Sequence, residues 1–186
     1  MLSMEETLEK EPLLRTEGLL GGGYYAEYQT DDARLTIDLA LTAIQEGAIC
    51  SNYCEATSFI YEGEKAIGIQ VQDRLADETF TIHAKQIVSA AGPWVDDLRT
   101  QDKSLEGKRL FLSKGVHIVV PKSKLPLNQA VYFDSPDGRM LFAVPRLDVT
   151  YIGTTDTPYD GDPNDVRPNL DDVNYLLEGV NQMFPD

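Results

Sequence analysis

His117 is the one titratable ring in a run of mostly apolar residues, Ser113-Lys114-Gly115-Val116-His117-Ile118-Val119-Val120-Pro121. An imidazole with an ordinary pKa of about 6.5 accepts a proton near neutrality, which makes it a candidate general base. A lone histidine between Val116 and Ile118 is equally an ordinary hydrogen-bonded strand residue, and these residues alone leave both readings open. Gln86-Ile87-Val88-Ser89-Ala90-Ala91-Gly92-Pro93-Trp94-Val95-Asp96 starts as a β-branched run, shrinks to side chains of little bulk and turns on Gly92-Pro93. Small residues at the carboxyl end of a buried parallel strand let a ligand approach the backbone, though tight strand–helix packing has the same composition. Thr154-Thr155-Asp156 closes an apolar strand with polar groups that suit either a site rim or local turn hydrogen bonds.

Other chemistry-bearing residues have sufficient structural explanations. Cys50 and Cys54 would stand roughly 13 Å apart on a strand at about 3.3 Å per residue, too far for a disulfide. With His83 and His117 distant in sequence they lack partners for a metal, so two buried or half-buried thiols and no metal site are expected. Gly21-Gly22-Gly23 has neither the Gly-Lys-Ser/Thr of a P-loop nor the G-x-G-x-x-G of a dinucleotide fingerprint, and reads as a flexible entry into a strand. Thr30, Asp31 and Asp32 suit the start of a helix, where side-chain oxygens accept from orphan N–H groups.

Periodicity along the chain predicts the helices and strands on which these residues sit. A short helix capped by Ser3 runs to about Glu9, and Tyr24 to Gln29 reads as a strand. Leu35, Leu39 and Ala43, flanked by Ile37, Ala40, Leu41 and Ile44, mark a helix from Ala33 that ends at Gly47. Strand patterns follow over Ala48 to Tyr61, Ala66 to Arg74 and Glu78 to Ala84, an antiparallel meander, and then comes the Gln86 strand. After a polar loop at Asp102-Lys103-Ser104, strands are expected over Arg109 to Val120, Ala130 to Asp134, Arg139 to Pro145 and Val149 to Thr154. A last helix spans about Asp171 to Met183. The fold class is α+β, a mixed α/β chain.

Composition narrows the function classes. The chain has 186 residues, 42% of them hydrophobic, enough for one large domain or two lobes with a real core. Its 31 acidic and 16 basic residues give a net charge of −15, which disfavours nucleic acid and anionic lipid. No stretch approaches the roughly 20 apolar residues of a membrane span, and a cytoplasmic setting is the default expectation.

Four segments in order resemble the FAD-dependent glycerol-3-phosphate dehydrogenases and the similar α-glycerophosphate oxidases. They are Tyr24-Tyr25 with Thr30-Asp31-Asp32-Ala33-Arg34-Leu35, then Ala90-Ala91-Gly92-Pro93-Trp94-Val95-Asp96, then Ser113 to Pro121, and lastly Ile152-Gly153-Thr154-Thr155-Asp156-Thr157 with Gly161-Asp162-Pro163. The resemblance implies a two-lobed flavoprotein, with residues 31–100 in a Rossmann-like FAD domain and residues 1–30 and 101–186 in a substrate domain on an antiparallel sheet. It implies FAD as cofactor, glycerol 3-phosphate as substrate, and quinone or oxygen as electron acceptor. His117 would face the flavin as base or as substrate orienter, and Lys114, Arg139, Thr154, Thr155 and Asp156 would contribute to substrate binding. Ala56, Ala91, Gly92 and Trp94 would lie near the adenosine half of the cofactor. The family's G-x-G-x-x-G unit would precede Met1 and its Gly-x-Arg-Pro segment would follow Asp186. The chain is therefore expected to be an internal part of the enzyme, inactive and a weak flavin binder by itself, with peripheral membrane association of the parent left open. A peroxide-forming oxidase, another hydroxy-acid or amine flavoenzyme, and a non-catalytic binding module are the alternatives.

Overall fold

A computed structural model describes residues 1–185. In chain order its elements are α1 (Met4–Lys10), α2 (Asp32–Gln45), β1 (Cys54–Glu62), β2 (Lys65–Asp73), β3 (Glu78–His83), a 3-10 turn (Gly92–Trp94), α3 (Val95–Gln101), β4 (Ser113–Lys114) and β5 (His117–Pro121). They continue with β6 (Val131–Asp134), β7 (Met140–Arg146), β8 (Val149–Gly153), β9 (Thr157–Pro158) and α4 (Leu170–Met183). Two compact units result: one joins Met1–Ala26 to the residues from Phe111 onward, and the other is Glu27–Leu110. Mixed α and β elements with antiparallel sheets make the chain α+β, as expected.

The first unit is built on a four-stranded antiparallel sheet in the order β5-β8-β7-β6. Alternation sends Leu141, Ala143, Ile152 and Phe133 to one face, where they form the core with Leu176, Val180 and Phe184 of the α4 region and with Leu125 and Leu127. Thr150, also on that face, is fully buried and satisfies its hydroxyl by donating to the Leu125 carbonyl at 2.8 Å. Helix α4 is capped by Asn169, whose side chain accepts from the Asp172 N–H while the Asp172 carboxylate accepts from the Asn169 N–H. Ser3 and Glu6 cap α1 in the same reciprocal way.

The second unit holds the meander β1-β2-β3 and the helices α2 and α3. Asp31 caps α2 by accepting from the Arg34 N–H at 3.1 Å, and Gly47, at φ +94°, lies just beyond its end. Residues 101–110 stay with this unit. Asp96 accepts from the Leu110 N–H at 2.8 Å, and Arg99 donates to the carbonyls of Lys108 and Glu106.

Four local expectations are corrected. Residues 24–29 form no strand: they have no ladder partner among the described residues, and the Tyr24 ring lies under the Lys10 ammonium instead. Residues 86–89 are likewise irregular, with Val88 86% exposed, because no described strand lies alongside to share its hydrogen bonds. The strand expected over Arg109 to Val120 breaks at Gly115-Val116 into β4 and β5, which belong to different sheets. The strand expected from Ala48 begins only at Cys54, after Tyr53 at φ +57°, so Cys50 is exposed; both cysteines are free. No described helix is long and apolar enough to cross a membrane.

Candidate active site

The face of the β5-β8-β7-β6 sheet turned away from the core carries His117. Register puts His117 opposite Gly153, Gly153 opposite Phe142, and Phe142 opposite Tyr132. Residues opposite one another in an antiparallel pair share a face, so these four form one row across all four strands. The imidazole fills the place a side chain at position 153 would take: a methyl group there would lie 2.5 Å from Nε2. Its centroid is 5.4 Å from that of Phe142 and 6.2 Å from that of Tyr151, which stands in the next row with Val119 and Val144. Phe142 meets Tyr132 at 5.9 Å and Tyr151 edge-on at 6.0 Å. The residue is exposed, and its ring is set on an aromatic floor.

The chain leaves β8 through Thr154, Thr155 and Asp156. Thr155 is fully buried, and its hydroxyl donates to the Lys114 carbonyl at 3.0 Å while accepting from the Val116 N–H at 3.1 Å. It thereby bridges the break between β4 and β5 where backbone pairing fails. Thr154 packs over Gly115, where a methyl group would come within 2.7 Å of Oγ1. Asp156 is exposed and holds φ +44°. Thr154 directly follows Gly153, the register partner of His117, and Thr155 lies buried as a brace between β4 and β5.

The two cations expected to contribute to substrate binding, Lys114 and Arg139, each make contacts within the chain. Burial alternates through this segment, so Lys114 and Val116 turn inward and His117 turns outward. The Lys114 ammonium reaches Asp172 Oδ2 at 2.5 Å and the Arg167 carbonyl at 3.3 Å. Burial pushes the Asp172 carboxyl up, but the bonds from Lys114 and the Asn169 N–H outweigh it and hold the group below the usual carboxylate range. Arg139 donates to Asp137 at 2.7 Å and to the Thr155 carbonyl, and its guanidinium lies 4.0 Å from the Tyr175 ring centroid. That pairing holds Asp137 well below the usual range and raises Arg139 above its own. The Tyr175 hydroxyl, pushed up mainly by burial, donates to Ser135 at 3.0 Å.

In the other unit Ala56 is exposed in β1 beside a bulge, opposite Val71. Ala91 precedes the 3-10 turn, Gly92 holds φ +55° with open space where a side chain would stand, and Trp94 is 41% exposed. Gly92 and Trp94 share that one turn, with open space at the glycine. No group of three His, Cys, Asp or Glu among the described residues is placed to hold a metal ion. Sequence reasoning missed Asp172, Gly153 as the partner of His117, and the Ser135–Asp137–Tyr175 network. Only the first had a local signal, the Asn169-x-x-Asp172 spacing of a helix cap.

Known proteins resemble the chain over all of its length. It is 51% identical to the aerobic glycerol-3-phosphate dehydrogenase of Staphylococcus haemolyticus and 50% identical to that of Bacillus subtilis, in each case over 100% of this chain and 34% of the relative. The chain thus spans about a third of the length of these relatives. A crystal structure of the glycerol-3-phosphate dehydrogenase from Bacillus halodurans complexed with FAD matches with a TM-score of 0.93 and 56% identity, over 100% of this chain and 38% of that one. The family model of the FAD dependent oxidoreductases (DAO) matches residues 1–186, and the chain belongs to that family.

Proposed function

We propose that the chain forms the central, substrate-facing part of an FAD-dependent glycerol-3-phosphate dehydrogenase, which oxidises sn-glycerol 3-phosphate to dihydroxyacetone phosphate. The observation that carries this reading is His117, held outward on the open aromatic face of a sheet, in a chain half identical along its whole length to aerobic glycerol-3-phosphate dehydrogenases.

Oxidation of a secondary alcohol removes a proton from oxygen and a hydride from carbon. Bound FAD supplies the hydride acceptor, at flavin N5. His117 takes the hydroxyl proton, which needs a nitrogen within hydrogen-bond reach of that oxygen. Thr154 and Asp156, at the rim, orient the substrate by hydrogen bonding. Thr155 fixes the turn that presents them, and Lys114 and Arg139 brace the frame rather than holding the phosphate. Ala56, Ala91 and Gly92 fit a cofactor wall because their small side chains leave the backbone accessible, with Trp94 packing beside it. Location in the cytoplasm, with quinone or oxygen as the final acceptor, belongs to the same proposal.

The test uses the FAD-loaded full-length protein containing this chain, with glycerol 3-phosphate and a dye acceptor. Turnover is expected in the wild type, with a loss of about 100-fold or more in His117→Ala. No turnover removes the substrate assignment, and unchanged turnover in the variant removes the base. Hydrogen peroxide formed in step with turnover when the dye is omitted would identify the oxidase instead.

A further inference from the structure

We propose that Gly153 is a positioning residue for His117: the absent side chain at this position of β8 is what lets the imidazole lie across the sheet and present a nitrogen in one fixed place. The inference rests on the reading of His117 as the base and adds a residue to it.

The geometry is that of a gap filled from the neighbouring strand. His117 and Phe142 flank Gly153 on either side and on the same face. Two ordinary side chains opposite one another would stand upright with their Cβ atoms roughly 5 Å apart. Here the ring lies over position 153, where a methyl group would come 2.5 Å from Nε2, closer still to Cδ2, and 3.1 Å from Cγ. All three contacts are to the imidazole, so any side chain at position 153 must move that ring. Gly153 is itself buried beneath it, and Phe142 and Tyr151 close two sides of the gap. The rotamer is thus set by a hole below and rings beside. Nothing about φ demands glycine here, since Gly153 lies outside the left-handed region. The requirement is for space.

The prediction is tested in the FAD-loaded full-length protein with wild type, Gly153→Ala, His117→Ala and the double variant. Displacing a reacting nitrogen by about 1 Å costs on the order of 100-fold, so Gly153→Ala should lower kcat by about that factor with little change in KM. In the His117→Ala background the same substitution should add nothing, because the group it displaces is gone. The His117 ring signal, followed by carbon-13 labelling of histidine and assigned with His117→Ala, should shift in Gly153→Ala as the imidazole leaves the Phe142 and Tyr151 rings. An equal kcat loss in both backgrounds would assign Gly153 a structural role only and overturn the proposal, as would an unshifted ring signal with unchanged kcat. If His117→Ala alone keeps full turnover, the base assignment fails, and the ring signal still decides whether Gly153 places His117. Should Gly153→Ala not fold, Phe142→Leu opens the same gap from the other side. It is expected to lower kcat only where His117 is present, and an equal loss in both backgrounds would count against the proposal.

Discussion

The Lys114 ammonium lies 2.5 Å from Asp172 Oδ2, with the two side chains only 7% and 4% exposed, and this contact ties β4 to the first turn of α4. A buried pair of this kind stabilises little relative to an apolar replacement, but removing one member strands the other charge. Lys114→Ala should therefore destabilise the chain by about 3–5 kcal/mol in urea unfolding. The double variant Lys114→Met with Asp172→Asn should lose less, since asparagine keeps a capping acceptor for the Asn169 N–H and leaves no buried charge. The sign with pH follows from the carboxyl. Asp172 is depressed in the folded state, so its stabilisation is present above the unfolded value of about 3.9 and lost as pH falls through the folded value. Asp137 is depressed as well and acts in the same direction. Wild type should thus lose stability below about pH 4, and the double variant should lose less of it. Equal destabilisation of single and double variants would show that the charge was never the cost.

Thr155 gives a second prediction, because one hydroxyl serves two backbone groups at the β4–β5 break. Thr155→Val keeps the shape and removes the oxygen, leaving the Val116 N–H and the Lys114 carbonyl buried without it. A cost of about 1–3 kcal/mol is expected, with faster hydrogen exchange at the Val116 amide. Thr155→Ser retains the oxygen and should keep the slow exchange. If valine leaves exchange at Val116 unchanged, the hydroxyl is not what protects that amide.

These two contacts also show where sequence reading reaches and where it stops. Elements set by local pattern were legible: α2 from its periodic leucines and Asp31 cap, the meander β1-β2-β3 from its turns, and α4 from its apolar face. Strands that depend on a neighbour were not, since residues 24–29 and 86–89 have strand composition without a ladder partner among the described residues. His117 could be singled out only with the help of the family resemblance, since an imidazole in an apolar run is by itself an ordinary strand residue. Its setting could not, because the hole it lies in belongs to Gly153, 36 positions away in the chain and adjacent only through register. Lys114 illustrates the same limit from the other side. Alternation along the strand turns its ammonium inward to an acid 58 residues on, a pairing that nothing local to the lysine announces.

Register also makes a prediction in the second unit, at Gly68. This residue is central in β2, opposite Ile60 of β1 and His83 of β3, and is buried. A methyl group there would stand 2.5 Å from the Ile82 carbonyl oxygen and 3.3 Å from His83 Cα, which are backbone atoms of β3 and cannot rotate away. Gly68→Ala should therefore push β3 off β2, costing about 1–3 kcal/mol and speeding exchange of the β3 amides. Gly23→Ala is the matched control: nothing lies within 4 Å of a methyl group there and its φ is not in the left-handed region, so it should be neutral or stabilise by up to about 1 kcal/mol through the unfolded chain. The two substitutions add the same atom and reduce unfolded-chain freedom alike, so the difference between them isolates the backbone collision at β3. Equal stability of the two variants would mean that β3 yields without cost at this position.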